Sequence, residues 1–435
     1  MGWKETYASK VTTYEEAVKC IKSGDVITIA HAVGEPKKLV DTMVEYVVAN
    51  DLKDITIHQM VAMGNGLYAQ PGMEKHFNVD PTFLGGPTRN FVNAGLGNFT
   101  PCFFYQVPDL WVNQQPSDVL LVTVSTPDEN GMCSFGVSCD YTKPIAECEK
   151  TKVIAVVNPN MPYVPGDNFI SVENIDVIVE DDPIVPVLGL PNIGDTEKAI
   201  GERVASLIND GDCLQLGIGA IPDAVLTFLD GKKDLGIHSE MVSDGVVGLY
   251  EKGVVNCKAK NFNKDKMVIA FLMGTKRLYD FADHNDAIMM MPVDYVNHPV
   301  IIGKNDNMVS VNSCMQVDLQ GQVCSEAVGL KQFSGIGGQV DFVRGAAFSK
   351  GGRSILAFPA SAKGGTVSKI VPFLTEGAPV TTSRTDVDYI VTEYGIAKLK
   401  GRTLRDRARQ LINIAAPQFR DDLAVEFEKR FAEKF

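Results

Sequence analysis

Apolar residues fall along the chain in two alternating patterns, one helical and one strand-like, and the alternation predicts parallel α/β architecture. Residues 14–23 carry Ala17, Val18 and Ile21 at helical spacing, with Ser23-Gly24-Asp25 as the stop signal. Val26-Ile27-Thr28-Ile29-Ala30 reads as a buried strand, 31–36 as a loop and 37–49 as a second helix. Residues 54–61 are the next strand.

The same order returns further on. Residues 197–209 are helical, Asp210-Gly211-Asp212 ends them, and Cys213-Leu214-Gln215-Leu216 is a strand. A glycine-bearing loop, Gly217-Ile218-Gly219-Ala220-Ile221-Pro222, opens a helix over 223–229. The strand-like stretch 235–242 then echoes 55–61, even to a shared Ile-His pair, Ile57-His58 and Ile237-His238. The pattern predicts an α/β protein of two related open domains with mainly parallel sheets. Pro183, Pro186 and Pro191 make 181–191 linker-like, so the division is expected near Gly194, between residues 1–193 and 194–435.

Composition narrows the class. A length of 435 residues fits two to three domains, at roughly 150 residues each. The 41 Lys+Arg against 54 Asp+Glu leave a net charge of −13 with no basic block, which argues against a nucleic-acid partner. No apolar run approaches the roughly 18 residues of a membrane helix, and the start of the chain lacks an apolar signal core. Nine cysteines without a C-x-x-C pair give no disulfide or metal spacing. The expectation is a cytoplasmic protein with reduced thiols, no metal and no membrane contact.

Three places hold candidate chemistry. Glu240 stands where a strand gives way to a loop, with Gln59 at the comparable place in the first half. In open parallel sheets ligands collect beyond the carboxyl ends of strands, where a carboxylate serves as nucleophile, acid or base; a strand-end acid paired with a neighbour fits equally. The loop from Gly217 follows a strand and opens a helix, a place for backbone N–H groups to meet an anion, or simply a tight turn. Pro222 stands where the third glycine of G-x-G-x-x-G would be, which weakens a dinucleotide reading. Ser334-Gly335-Ile336-Gly337-Gly338-Gln339-Val340-Asp341-Phe342 is a second glycine cluster, whose N–H groups suit an oxyanion or a turn. H-E-x-x-H, G-x-S-x-G and Walker A patterns are absent.

Gly236-Ile237-His238-Ser239-Glu240-Met241-Val242-Ser243-Asp244-Gly245, with residues 217–223 and 334–344, resembles the acetyl-CoA hydrolase/transferase group of family I CoA-transferases. The resemblance runs over essentially the whole chain, from Gly34-Glu35-Pro36 to Val391-Thr392-Glu393-Tyr394-Gly395. It implies two open α/β domains with the active site in the cleft between them, in a homodimer or tetramer. Glu240 is then the catalytic carboxylate, Gly338 supplies an N–H near the thioester carbonyl, and Asn312 is the amide partner of that oxyanion site. Gly217, Ile218, Gly219, Ala220 and Ile221 are implied to contact CoA, with Lys363 and the backbone around Met315 as further contacts. His31 and Gln215 resemble residues lining the acyl pocket. The implied activity moves CoA between acetyl-CoA or butyryl-CoA and a short carboxylate such as 4-hydroxybutyrate, by ping-pong chemistry through a glutamyl-CoA thioester. Butyryl-CoA:acetate transfer and acetyl-CoA hydrolysis are the alternatives. Coenzyme A is a co-substrate in this scheme, and no cofactor is bound permanently.

Overall fold

A computed structural model describes residues 2–435. The chain forms two compact units, the first holding everything up to Leu188 together with Val268–Val296, the second Gly189–Met267 and Asn297–Phe435.

The first unit is built on a seven-stranded sheet whose order, by residues, is 11–12, 177–180, 152–157, 119–124, 26–29, 55–58 and 77–79. Every pairing in it is parallel. Val119–Val124 is buried at all its positions, the mark of a strand covered on both faces. Leu39, Met43 and Val47 of helix Lys37–Ala49 pack over Ile27, Ile57 and Leu121 in the same apolar core.

The second unit carries a six-stranded sheet in the order 236–237, 213–216, 308–312, 353–357, 389–392 and 395–398, parallel except for the last pair. Its core joins Val343, Leu356, Ile390, Leu411 and Phe427. The two sheets share a topology. Val26–Ile29 has Ile55–His58 on one side and Val119–Val124 on the other; Cys213–Leu216 likewise lies between Gly236–Ile237 and Met308–Asn312. In both units the strand order reverses at that strand, which opens a crevice at the carboxyl ends.

Helix Lys37–Ala49 and strand Cys213–Leu216 lie where the pattern predicts them. Three elements differ in instructive ways. The first predicted helix is α-helical only over Tyr14–Ala17 and tightens to a 3-10 turn at Val18–Cys20 before the chain enters its strand. The helix after the Gly217 loop begins at Ala220, since Gly219, at φ 116°, breaks the strand direction and Pro222 is tolerated within the first turn. The stretch 235–242 is not one strand but two short ones, Gly236–Ile237 and Met241–Val242, interrupted at His238-Ser239-Glu240.

The units also divide the chain differently from a single cut at 193/194. Residues 268–296 return to the first unit, where Cys139 N–H donates to the Ala270 carbonyl (3.2 Å), Leu272 N–H to Val137 (2.8 Å) and Asp167 N–H to Met290 (2.8 Å). An apolar stretch such as 267–273 suits either sheet, and periodicity alone does not say which one buries it. Among the described residues no helix is long and apolar enough to cross a membrane. All nine cysteines are free thiols.

Candidate active site

Glu240 stands just beyond the carboxyl end of Gly236–Ile237, and its surroundings are rigid. That strand pairs with Cys213–Leu216 through Cys213↔Gly236 and Leu214↔Ile237, and His238 N–H still reaches the Leu214 carbonyl at 3.1 Å. There the ladder ends. The buried Ser239 hydroxyl lies 2.6 Å from the Met241 carbonyl and 3.2 Å from that of Leu216. It therefore spans Glu240 and ties the turn to the strand that leads into Gly217. From below, the buried Lys260 ammonium donates to the carbonyls of Ile237 and Lys266, each at 2.8 Å.

The Glu240 carboxylate reaches the start of helix Gln339–Phe348, for which Gly338 is the N-cap. A methyl group added at Gly338 would lie 1.9 Å from Glu240 Oε2 and 2.3 Å from Asn297 Nδ2, so only glycine admits the carboxylate at this distance. Gly338 itself has φ −91°, an ordinary backbone angle; its bareness, not its flexibility, matters here. A carboxylate at a helix N-terminus is favoured by the oriented peptide dipoles. Asn297 Nδ2 donates to Glu240 Oε2 at 2.8 Å and, more weakly, to Asp341 Oδ2 at 3.4 Å. Asn297 and Asp341 are both buried. Asn297 is delivered here because the short helix Pro299–Ile302 lies directly on Gln339–Phe348: a Cβ at Gly345 would meet Ile302 Cγ2 at 2.4 Å.

The other expected residues of this unit are placed as follows. Gly217 and Gly219 have open space where a Cβ would stand, Ile218 is exposed, and Ala220 and Ile221 form the first turn of helix Ala220–Thr227. Asp223, in the same helix, accepts from Ser243 Oγ at 2.9 Å, and burial pushes its carboxyl above the usual range. Asn312, expected beside the nucleophile, instead exchanges paired amide hydrogen bonds with Gln215, each 3.1 Å, across neighbouring strands. Its Nδ2 also donates to Ser310 Oγ at 2.9 Å. The amide next to Glu240 is that of Asn297. The Met315 N–H is committed to the Cys324 carbonyl at 2.9 Å. Lys363 is exposed between the hairpin strands Ser361–Ala362 and Val367–Ser368.

In the first unit His31 is buried, with Nδ1 3.1 Å from Asp140 Oδ2, which also accepts from Ser138 Oγ at 2.7 Å. The carboxylate and hydroxyl orient the ring; Nε2 is left buried without a hydrogen-bond partner. The rings of Phe104, Phe271 and Tyr141 surround the imidazole at 5.5, 4.7 and 5.7 Å between centroids. Gln59, the counterpart of Glu240 in the pattern, donates to Glu35 Oε2 at 3.0 Å and accepts from Tyr68 OH at 2.5 Å. Burial pushes the Glu35 carboxyl up, against hydrogen bonds from the N–H groups of Met63 and Gly64.

Sequence reasoning missed Asn297. In Asn297-His298-Pro299 it reads as the start of a turn, with no periodic signal linking it to Glu240. Asp341 lay inside the glycine-cluster segment but carried no assigned role.

Residues 1–189 match the acetyl-CoA hydrolase/transferase N-terminal domain family, and residues 274–427 match the corresponding C-terminal domain family. The chain is an enzyme and belongs to the acetyl-CoA hydrolase/transferase family. It is 57% identical over 432 residues to the 4-hydroxybutyrate coenzyme A transferase of Clostridium kluyveri, covering 99% of this chain and 100% of that one. A succinyl-CoA:cyclohexane-1-carboxylate CoA transferase of Geobacter metallireducens is 43% identical over 422 residues, covering 97% and 96%. Among solved structures, a 4-hydroxybutyrate CoA-transferase of Porphyromonas gingivalis superposes with a TM-score of 0.85 at 44% identity, over 99% of this chain and 100% of that one.

Proposed function

We propose that this CoA-transferase moves CoA between acetyl-CoA or butyryl-CoA and 4-hydroxybutyrate, in a ping-pong cycle with a glutamyl-CoA thioester on Glu240. The observation that carries the reading is the seat of Glu240, a carboxylate held by Asn297 over bare Gly338 at a helix N-terminus. The identity to a 4-hydroxybutyrate transferase along the whole chain supports the choice of acid.

The chemistry needs no proton transfer. Glu240 attacks the acyl-CoA carbonyl and expels CoA thiolate, giving an acyl-glutamyl anhydride. The thiolate attacks the glutamyl carbonyl, expels the carboxylic acid as its anion and leaves glutamyl-CoA. The acceptor carboxylate then attacks the same carbonyl, and the steps run in reverse. Each addition creates an oxyanion, for which the Asn297 amide and the N–H groups at the start of Gln339–Phe348 are the donors at hand. A preorganised donor of this kind contributes on the order of 100- to 1000-fold. In the same reading the open loop from Gly217 to Ile221 receives CoA, and Lys363 supplies a cation for its phosphates. CoA enters as a co-substrate, and the enzyme works as a cytoplasmic homo-oligomer.

Product analysis with acetyl-CoA and 4-hydroxybutyrate tests this. The expected outcome is equimolar 4-hydroxybutyryl-CoA and acetate, with parallel double-reciprocal lines, and loss of turnover in Glu240→Gln. Intersecting lines, or acetate released without a new acyl-CoA, would overturn it.

A further inference from the structure

Asn297 is held from one side only. Its Oδ1 is buried with no hydrogen-bond partner among the described residues, so nothing at that end fixes the amide. The Nδ2 end faces two carboxylates, Glu240 Oε2 at 2.8 Å and Asp341 Oδ2 at 3.4 Å. A flipped amide would set an oxygen against two carboxylate oxygens, and an acceptor facing acceptors disfavours that orientation.

The two carboxylates are not equivalent through a reaction cycle. In the free enzyme the Glu240 carboxylate accepts from the amide. Once Glu240 is a thioester or an anhydride it is a neutral acyl group and a far poorer acceptor. The Asp341 carboxylate is then the acceptor that still faces Nδ2. It stands in the first turn of Gln339–Phe348, 1% exposed, and its place relative to Gly338 is fixed by the helix.

We infer that Asp341 is a positioning residue: it keeps the Asn297 amide turned toward the glutamyl carbonyl while Glu240 is acylated, so that a donor is in place when the next nucleophile attacks. The inference rests on the glutamyl-CoA reading above. The step it serves is attack of the acceptor carboxylate on the glutamyl thioester, in which a C–O bond forms, the C–S bond breaks and CoA thiolate leaves with the electron pair.

The test is single-turnover discharge. Wild type, D341N, N297A and the double variant are each charged with acyl-CoA and freed of small molecules. Each is then mixed with acceptor carboxylate, and loss of the protein-bound CoA is followed by mass spectrometry. Rates are normalised to the charged fraction, because only folded molecules acquire the adduct. D341N should discharge about 10-fold slower, N297A on the order of 100-fold slower, and the double variant no slower than N297A, since Asp341 acts through that amide. A role confined to packing gives effects that multiply in the double variant, and that result overturns the inference. So does discharge of D341N at the wild-type rate. Asp341→Ser provides a second reading; failure of both Asp341 variants to charge, while N297A charges, makes the residue a requirement of the fold and also overturns it. A wild-type enzyme that never acquires CoA on Glu240 removes the underlying reading itself, and is distinguished by that.

Discussion

Replacing Gly338 by alanine isolates the geometry on which the site depends. The added methyl would stand 1.9 Å from Glu240 Oε2 and 2.3 Å from Asn297 Nδ2, against an ordinary contact of 3.4 Å or more. The carboxylate must therefore withdraw by about 1.5 Å, or the helix start must shift with it. A misplacement of about 1 Å at a reacting group costs on the order of 100-fold, or about 2.7 kcal/mol of barrier. The backbone raises no objection, since φ is −91°. Overpacking of about 1–3 kcal/mol is offset in part by the lower unfolded-chain entropy of alanine, about 0.4–1 kcal/mol. The prediction is thus a selective one: kcat for CoA transfer falls at least about 100-fold while the thermal midpoint moves by only a few degrees. Gly248→Ala, inside helix Asp244–Glu251 where a Cβ meets open space, is the control and should leave kcat unchanged while raising the thermal midpoint slightly. Transfer by G338A within threefold of wild type would refute the reasoning, because the glutamate would then not need the space above Gly338.

Three further outcomes follow from the same geometry. N297A should lower kcat by about 100-fold or more while N312A lowers it far less, because only the first amide touches Glu240; steady-state rates of the two variants with acetyl-CoA decide it, and equal losses would count against Asn297. His58 is buried against Trp111, ring centroids 5.1 Å apart, and burial pushes its imidazole down to about 4. Its ordinary value is about 6.5, so the unfolded chain takes up a proton between those values that the folded chain refuses. Stability should fall as pH drops through this window, by about 2 kcal/mol between pH 7 and pH 5. Urea midpoints of wild type and His58→Gln should show the variant less acid-sensitive, and an identical acid loss would rule His58 out as its source. Arg353 pairs through Nη2 with the buried Asp212 and donates from Nε to the Leu207 carbonyl at 2.7 Å. Arg353→Met strands that carboxylate, at a cost of about 3–5 kcal/mol near pH 7 by denaturant unfolding. The cost should shrink toward acid pH as Asp212, already raised by burial, takes a proton.

Much of this protein was legible because its period signals are strong where its strands are central. Lys37–Ala49 and Cys213–Leu216 carry uninterrupted patterns, and the echo between 55–61 and 235–242 corresponds to the like neighbours of strands Val26–Ile29 and Cys213–Leu216 in the two sheets. Glu240 was singled out as an acid at the end of an apolar strand, and the family resemblance made it the catalytic candidate. Its partners were not. Asn297 lies in the bend just before the short helix Pro299–Ile302, which is brought close by the bare face of Gly345, a contact made in three dimensions with no local trace in the pattern. Asn312 was singled out through the family resemblance alone, and its amide is closed on Gln215 rather than placed beside Glu240. The return of 268–296 to the first unit escaped for a related reason, since hydrophobic periodicity reports that a segment is buried but not which sheet buries it.

The central claim is that the Glu240 carboxyl itself becomes a thioester with CoA. The most direct measurement is peptide mass spectrometry of the enzyme after incubation with acetyl-CoA alone, with borohydride reduction to mark a thioester at its carbon. The account predicts a CoA adduct on the peptide containing Glu240, reducible by borohydride, discharged on addition of 4-hydroxybutyrate and absent from Glu240→Gln. Turnover without any adduct, or an adduct on another residue that survives Glu240→Gln, would contradict it.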